Sequence, residues 1–162
     1  MQDYALIRTM LNMLIASPGE ENYHGAIAAS LGPGNLIKTD EVESKKIILT
    51  TGTALKIGKK LQKLTDDEFS VMTMPLSSMQ CKEEVAQKIS NFEEIMILED
   101  HMIDGGFGSW ILESLSNRKD LYSKVTIKAL DSKICGMVGT QDSLNKEGGI
   151  DPIKILESIS LS

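Results

Sequence analysis

The residues of this chain that could do chemistry are concentrated between Glu99 and Ser109. Three glycines and a serine stand directly before a helical pattern, and a histidine stands just upstream: Gly105, Gly106, Gly108, Ser109 and His101. Glycines at this point let the backbone turn tightly and leave the first helical N–H groups unobstructed, and such groups attract anions. The pattern predicts either a packing turn or a small anion-binding site made of these five residues.

His101 is the second chemical candidate, because it lies between Asp100 and Asp104 in sequence. Histidine is suited to proton transfer near neutral pH. The same pattern also fits a loop histidine with no catalytic role. His24, Cys81 and Cys135 show no metal-ligand spacing relative to it. The sequence therefore predicts no catalytic residue and no metal site in this chain.

A strand and a helix must position this stretch. The unbroken apolar run Ile95 to Leu98 is typical of a strand buried on both faces, and Glu99 to Asp104 is predicted to be a polar loop. The helix after the glycines has one apolar side, formed by Phe107, Trp110, Ile111, Leu112 and Leu115.

Similar units fill the chain from Lys45 onward. Further strands are predicted at Ile47–Leu49, Phe69–Met74 and Val125–Ala129, with helices after Thr53, from Lys82 to Phe92 and after Asp151-Pro152. This order predicts a three-layer α/β/α fold with about five strands, mostly parallel. Binding sites in such sheets lie beyond the carboxyl ends of the strands, the edge that carries Glu99 to Gly108.

The details of the helices are also predicted by periodicity. Thr53 is expected to cap a helix that buries Leu55, Gly58, Leu61 and Leu64, while Lys56, Lys59, Lys60 and Lys63 form a solvated face rather than a basic patch. The final helix is expected to bury Ile153, Leu156 and Ile159, and residues Ile134 to Gly149 are expected to be a long loop. Near the start, Met10 to Ile15 is strand-like and a helix is predicted to begin at Ser17-Pro18.

Composition limits the classes of partner. The chain of 162 residues is 41% hydrophobic and 25% charged, as in an ordinary globular protein. Its net charge of −6 argues against nucleic acid or an anionic membrane as the main partner. No apolar run approaches the roughly twenty residues of a membrane span. Cys81 and Cys135 fit no paired motif and are read as reduced thiols, which predicts a cytoplasmic protein.

Three segments together resemble a known family. KKIILTTGTALKIGKKL, FSVMTMPLSS and IMILEDHMIDGGFGSWILESL resemble the C-terminal domain of transketolase-type thiamine diphosphate enzymes, a group that includes deoxyxylulose-phosphate synthases and the β subunits of 2-oxoacid dehydrogenases. In that pattern a Glu-Glu or Glu-Asp pair ends a strand ahead of Gly-Gly-Phe-Gly-Ser. Glu99-Asp100 and Gly105 to Ser109 match it, and the resemblance covers about residues 43 to 162.

An earlier segment resembles the end of the preceding domain of that family. Residues 3 to 30 are similar to the last part of the pyrimidine-binding domain, with Leu11 where the family usually has proline. The strand and arginine segment that should follow is shortened to Leu31–Asn35. The resemblance therefore implies two units, a remnant of the pyrimidine-binding domain at residues 1–40 and a C-terminal-like domain at residues 41–162.

The resemblance also implies a function for the whole assembly. Such enzymes move two-carbon ketol units between sugars, but the Gly-Asp-Gly and Asn-Asn motifs for magnesium and diphosphate are missing here. Thiamine diphosphate and magnesium are thus expected on partner domains or on a separate chain. This chain alone is expected to be inactive, with a structural and dimer-forming role in a homo-oligomer. Two alternatives stay open: a free-standing anion-binding module of the same fold, and part of a 2-oxoacid dehydrogenase β subunit.

Overall fold

A five-stranded sheet forms the centre of the protein. The computed structural model describes residues 15–16 and 32–160, with the side chain of residue 160 excepted. The strand order in the sheet is β2-β4-β3-β6-β7, and a separate two-stranded sheet pairs β1 with β5. The strands are β1 Ile15–Ala16, β2 Ile37–Lys38, β3 Lys46–Thr50, β4 Ser70–Thr73, β5 Leu76–Ser77, β6 Glu94–Met102 and β7 Val125–Leu130.

Six α-helices and two short 3₁₀ helices are described in these ranges. The α-helices are α1 Ala54–Leu64, α2 Lys82–Ile89, α3 Phe107–Ser114, α4 Lys119–Tyr122, α5 Gln141–Glu147 and α6 Pro152–Ser160; the 3₁₀ helices are Met79–Cys81 and Ser132–Ile134. No helix within residues 15–16 and 32–160 is both long enough and apolar enough to cross a bilayer.

The pairing of the strands confirms the predicted fold class. Strands β4, β3, β6 and β7 are mutually parallel, as short βαβ crossovers require. Only β2 runs the other way, with Ile37 opposite Thr73 of β4. The sheet is thus mostly parallel, as predicted, with one antiparallel strand at its edge.

Alternation along the central strands separates two apolar layers. Ile47 and Ile95 point to the face that α2 and α3 cover, in a cluster with Phe107 and Trp110. Ile48 points to the opposite face, which α1 and α6 cover. Successive strand residues face opposite ways, so one continuous apolar run supplies both layers. This is the expected three-layer arrangement.

The predicted loop from Ile134 to Gly149 is wrong in part. The segment Gln141–Glu147 forms α5, and the hydroxyl of Thr140 accepts a hydrogen bond of 3.2 Å from the backbone N–H of Ser143. Most side chains of this helix are exposed and only Asn145 is buried. Because the helix has no apolar stripe, periodicity gave no signal for it.

Strand β6 is longer than predicted. It continues through Glu99, which was expected to begin a loop, and ends at Met102. The extension pairs Met102 with Leu130 of β7 after a register shift between Leu98 and Met102. The acidic residues of the extension are tolerated because the carboxylates of Glu99 and Asp100 have hydrogen-bond partners within the chain.

Two residues predicted to be buried are exposed. Leu64, the last residue of α1, is 44% exposed and Ile153, in the first turn of α6, is 60% exposed. In α6 the position against the sheet is taken by Ile155, which is 1% exposed. Helix ends project beyond the sheet, so a side chain that continues the apolar stripe there has little to pack against.

The predicted division of the chain at residue 40 stays a prediction. The helix at Ser17-Pro18 lies outside the described residues, as does the strand-like segment from Met10 except for Ile15. Within the described part, Ile37–Lys38 pairs with β4 in the main sheet.

Candidate functional site

The glycine turn, which we define as Glu99 together with residues 105–108, lies at the carboxyl end of β6. Glu99 is fully buried, and its carboxylate faces the first turn of α3. One oxygen accepts a hydrogen bond of 2.6 Å from the N–H of Phe107, and the other accepts one of 2.8 Å from the N–H of Gly108. Two of the N–H groups that a helix start leaves unsatisfied are thus bound by the chain's own carboxylate.

The glycines make this close approach possible. A Cβ atom on Gly106 would overlap the Glu99 carboxylate and the carbonyl oxygen of Met102, although the φ of Gly106 is an ordinary −77°. A Cβ on Gly108 would lie 2.7 Å from Cγ2 of Ile127 and 2.9 Å from Oε1 of Glu99. These two positions therefore require glycine for space. Gly105 requires it for conformation, because its φ is +76°.

The other predicted site residues surround the turn with different contacts. The hydroxyl of Ser109 donates to the carbonyl of Gly106 at 3.0 Å, inside the helix. Nδ1 of the half-buried His101 lies 2.9 Å from the carbonyl oxygen of Met102. The five residues are therefore held around one turn. The anion at its centre is Glu99.

A neighbouring carboxylate ties the turn to the first helix. Thr53 stands at the N-cap position of α1, but its side chain accepts no bond from the helix, contrary to the prediction that it caps α1. Its hydroxyl donates to the carboxylate of Asp100. Gly52, with a φ of +58°, lets the chain pass close to the same carboxylate. Asp100 thus connects β6 to the start of α1.

This arrangement limits what an external ligand could do here. A second anion at the start of α3 would have to displace Glu99 or lie beside it, and like charges at close range repel. The anion-binding site at Gly105, Gly106, Gly108, Ser109 and His101 stays a prediction. Among the residues that the structure describes, no group of three or more His, Cys, Asp and Glu side chains is arranged to hold a metal ion.

The central role of Glu99 was missed from the sequence, although a signal for it exists. Glu99 follows Ile95 and Ile97 at strand spacing, so a strand continued by one residue beyond Leu98 places all three on one face. That face lies under α3. The polar side chain of Glu99 suggested a loop. The backbone N–H groups that bind it lie eight and nine residues later, so the local pattern around Glu99 does not reveal them.

The sheet order and the helices on both of its faces define the chain as a three-layer α/β domain. A solved structure of a split-gene transketolase is described as an inactive β4 tetramer. It matches this chain with a TM-score of 0.74 and 17% sequence identity, and the match covers 98% of this chain and 60% of the transketolase chain. A transketolase from Campylobacter jejuni subsp. jejuni NCTC 11168 matches with a TM-score of 0.59 and 14% sequence identity. This match covers 100% of this chain and 28% of the transketolase chain. At these identities the likeness establishes the fold.

A curated sequence extends the likeness to one further protein. The 1-deoxy-D-xylulose-5-phosphate synthase of Vibrio atlanticus (strain LGP32) is 25% identical over 191 residues, which cover 98% of this chain and 30% of that protein. No family model matches the chain. The comparisons confirm the resemblance to a C-terminal domain of the transketolase family that the residues indicated. The chain spans under a third of the curated relative's length.

Proposed function

We propose that this chain is the C-terminal part of a transketolase-like thiamine diphosphate enzyme, in which it has a structural role. The observation that carries the proposal is the sheet itself. Its order includes one antiparallel edge strand. The fold built on it matches the split-gene transketolase over 98% of this chain. In such an assembly, two-carbon ketol units would be transferred between sugars at a site on the partner domains.

The residues described at the carboxyl end of β6 do not fit the cofactor. A diphosphate needs unoccupied N–H donors or cations. Here the N–H groups of Phe107 and Gly108 bind Glu99, and Asp100 and Asp104 add negative charge to the same edge. The proposal therefore assigns thiamine diphosphate and magnesium to partner domains or to a separate chain, and assigns no catalytic residue to this one.

The proposal includes assembly with copies of itself and with a cofactor-bearing chain. The split-gene transketolase is described as inactive in its β4 form, and this chain covers 60% of that protein. By analogy, the chain forms homo-oligomers that are inactive until a second polypeptide joins them. A cytoplasmic location is part of the same proposal, supported by Cys81 and Cys135, which are both free thiols.

Reconstitution tests this function. The chain is incubated with a polypeptide that carries the cofactor-binding domains, with thiamine diphosphate and with magnesium, and ketol transfer between sugar phosphates is followed. We expect no transfer with this chain alone, and transfer together with co-elution when both chains are present. Transfer by this chain alone would refute the assignment of the cofactor site to a partner. Failure of the two chains to co-elute would refute the assembly.

The predicted anion site at the glycine turn is tested separately. Trp110 is 3% exposed and stacks on Phe107, with ring centroids 6.2 Å apart, so its fluorescence reports on the start of α3. Phosphate binding at the turn would change this signal saturably. An unchanged signal would leave Glu99 as the sole anion at this helix start.

A further inference from the structure

A groove of about 440 Å³ lies between α1 and the segment formed by α5 and α6. It is on the α1 face of the sheet, whereas the glycine turn contacts α3 on the other face. Five lysines line it, four from α1 and one from α5: Lys56, Lys59, Lys60, Lys63 and Lys146. We call it the lysine groove.

The charges in the lysine groove are opposite to those of the chain as a whole. Its lysines outnumber its aspartates by five to two, while the net charge of the chain is −6. One of the two aspartates is already engaged, because the carboxylate of Asp151 accepts hydrogen bonds from the N–H groups of Ile153 and Lys154 at 3.0 and 3.3 Å. The other, Asp142, is in the first turn of α5. Lys56 and Lys59 also interact within the chain, so the positive charge that the groove offers rests on Lys60, Lys63 and Lys146.

The spacing of the α1 lysines concentrates this charge further. They stand three and four residues apart, so they form one stripe along the helix, and α1 contains no acidic residue to separate them. Like charges at this spacing destabilise a helix. A bound anion would remove that repulsion, and Lys60 and Lys63 are both exposed to meet it.

Three apolar residues line the groove beside Asn145 and the charged side chains. Ile57 and Ile150 are 9% and 0% exposed, and Pro152 lies beside them. An apolar base with a few charged groups at its rim is the usual composition of a small-molecule site, and the volume falls within the usual range. A solvated lysine face alone would not require such a concavity.

We propose that the lysine groove binds an organic phosphate that carries at least two negative charges. The phosphate groups contact Lys60, Lys63 and Lys146, and the organic part lies against Ile57 and Pro152, the apolar lining residues that keep some exposed surface. Lysine binds phosphate as a compact point charge, which suits a ligand held at the rim of a groove. This site is separate from the proposed function and from the glycine turn.

Calorimetric titration of the full chain with ADP tests the proposal, because ADP combines a charged diphosphate with a large organic group. The groove variant is Lys60→Glu/Lys63→Glu. Its matched control is Lys119→Glu/Lys133→Glu, which makes the same charge change at two exposed lysines of α4 and the 3₁₀ helix after β7. We expect saturable binding that weakens at least about tenfold in the groove variant, changes little in the control, and weakens with added salt.

Further arms separate the parts of the site. Lys60→Gln/Lys63→Gln removes charge without placing acids in the last turn of α1, so it should weaken binding in the same direction but less, with an unchanged circular dichroism spectrum. Inorganic pyrophosphate and adenosine should each bind more weakly than ADP. Absence of saturable ADP binding, or equal weakening in the groove and control variants, would overturn the proposal. Pyrophosphate binding as tight as that of ADP would overturn the role of the apolar lining.

Discussion

The glycine turn and the lysine groove are two places where this fold could accept an anion, and they differ in what fills them. At the glycine turn the anion is Glu99, fully buried and bonded by two backbone N–H groups. In the groove, exposed cations surround an apolar concavity. At the glycine turn, the carboxylate of Glu99 joins β6 to the first turn of α3. The lysine groove presents Lys60, Lys63 and Lys146 at the surface.

The difference follows from the cost of burying charge. A carboxylate removed from water is tolerated only when hydrogen bonds replace its hydration, and Glu99 meets that condition through α3. Lysine ammonium groups stay at the surface because their long side chains reach water while the stems lie along apolar residues. Glycines near an acidic residue therefore indicate a turn whose N–H groups are bound by a carboxylate of the same chain. Ligand sites are better sought where cations surround a cavity.

The largest effect is expected from Glu99→Ala. This change leaves the N–H groups of Phe107 and Gly108 buried without an acceptor, and we expect the free energy of unfolding to fall by about 3 kcal/mol. Urea denaturation of the full chain measures it. Glu147→Ala removes an exposed acid at the end of α5 and should change stability by less than about 0.5 kcal/mol. Similar losses in the two variants would contradict the role of Glu99 as the buried acceptor at the glycine turn.

A smaller loss is expected from Gly106→Ala. The added methyl group would overlap the Glu99 carboxylate, and we expect a loss of about 2 kcal/mol from crowding in the same denaturation assay. Gly136→Ala is the comparison, since a Cβ there meets nothing within 4 Å but the φ is +84°; backbone strain alone should cost about 1 kcal/mol.

A double-mutant cycle sharpens this prediction. If the Glu99 carboxylate is what crowds residue 106, the double variant should lose less stability than the sum of the losses from Glu99→Ala and Gly106→Ala. Strictly additive losses would show that the Met102 carbonyl, and not the buried carboxylate, requires glycine at this position.

The smallest effect is expected at an exposed ion pair far from both regions. Lys45 Nζ lies 2.9 Å from Glu93 Oε1 at the opposite edge of the sheet. The hydrogen bond from Lys45 and then its charge lower the pKa of Glu93, with smaller contributions from Lys124 and Lys46. In Lys45→Met the pKa of Glu93 should rise toward its ordinary value, as NMR titration of the carboxyl carbon would show, with little change in stability.

The sign of the pH dependence follows from that direction. Because the folded state lowers the pKa of Glu93, the pair stabilises the fold above the unfolded pKa of glutamate, and this contribution is lost as pH falls through the folded pKa. In Lys45→Met this part of the acid sensitivity should disappear. An unchanged Glu93 pKa would mean that the ion pair is not populated in solution.

Much of the fold was predictable because it depends on local patterns. The apolar runs at Ile47–Leu49 and Ile95–Leu98 predicted central strands, and Asp151-Pro152 marked the start of α6, where Asp151 accepts the N–H groups of Ile153 and Lys154. Helix α5 was missed for the converse reason, since its surface is almost wholly polar. The lysine stripe on α1 was also visible in the sequence. Its position opposite Lys146 and Ile150 was not, because that depends on how α5 and α6 pack back onto the sheet.

The sequence by itself determined the α/β order, the resemblance to the transketolase family and the residues of the glycine turn, because each is written in neighbouring positions. Only the tertiary structure decided that Glu99 is the turn's own anion and that the lysines of α1 face a cavity. Both facts depend on contacts between segments distant along the chain, and periodicity carries no information about which segments meet.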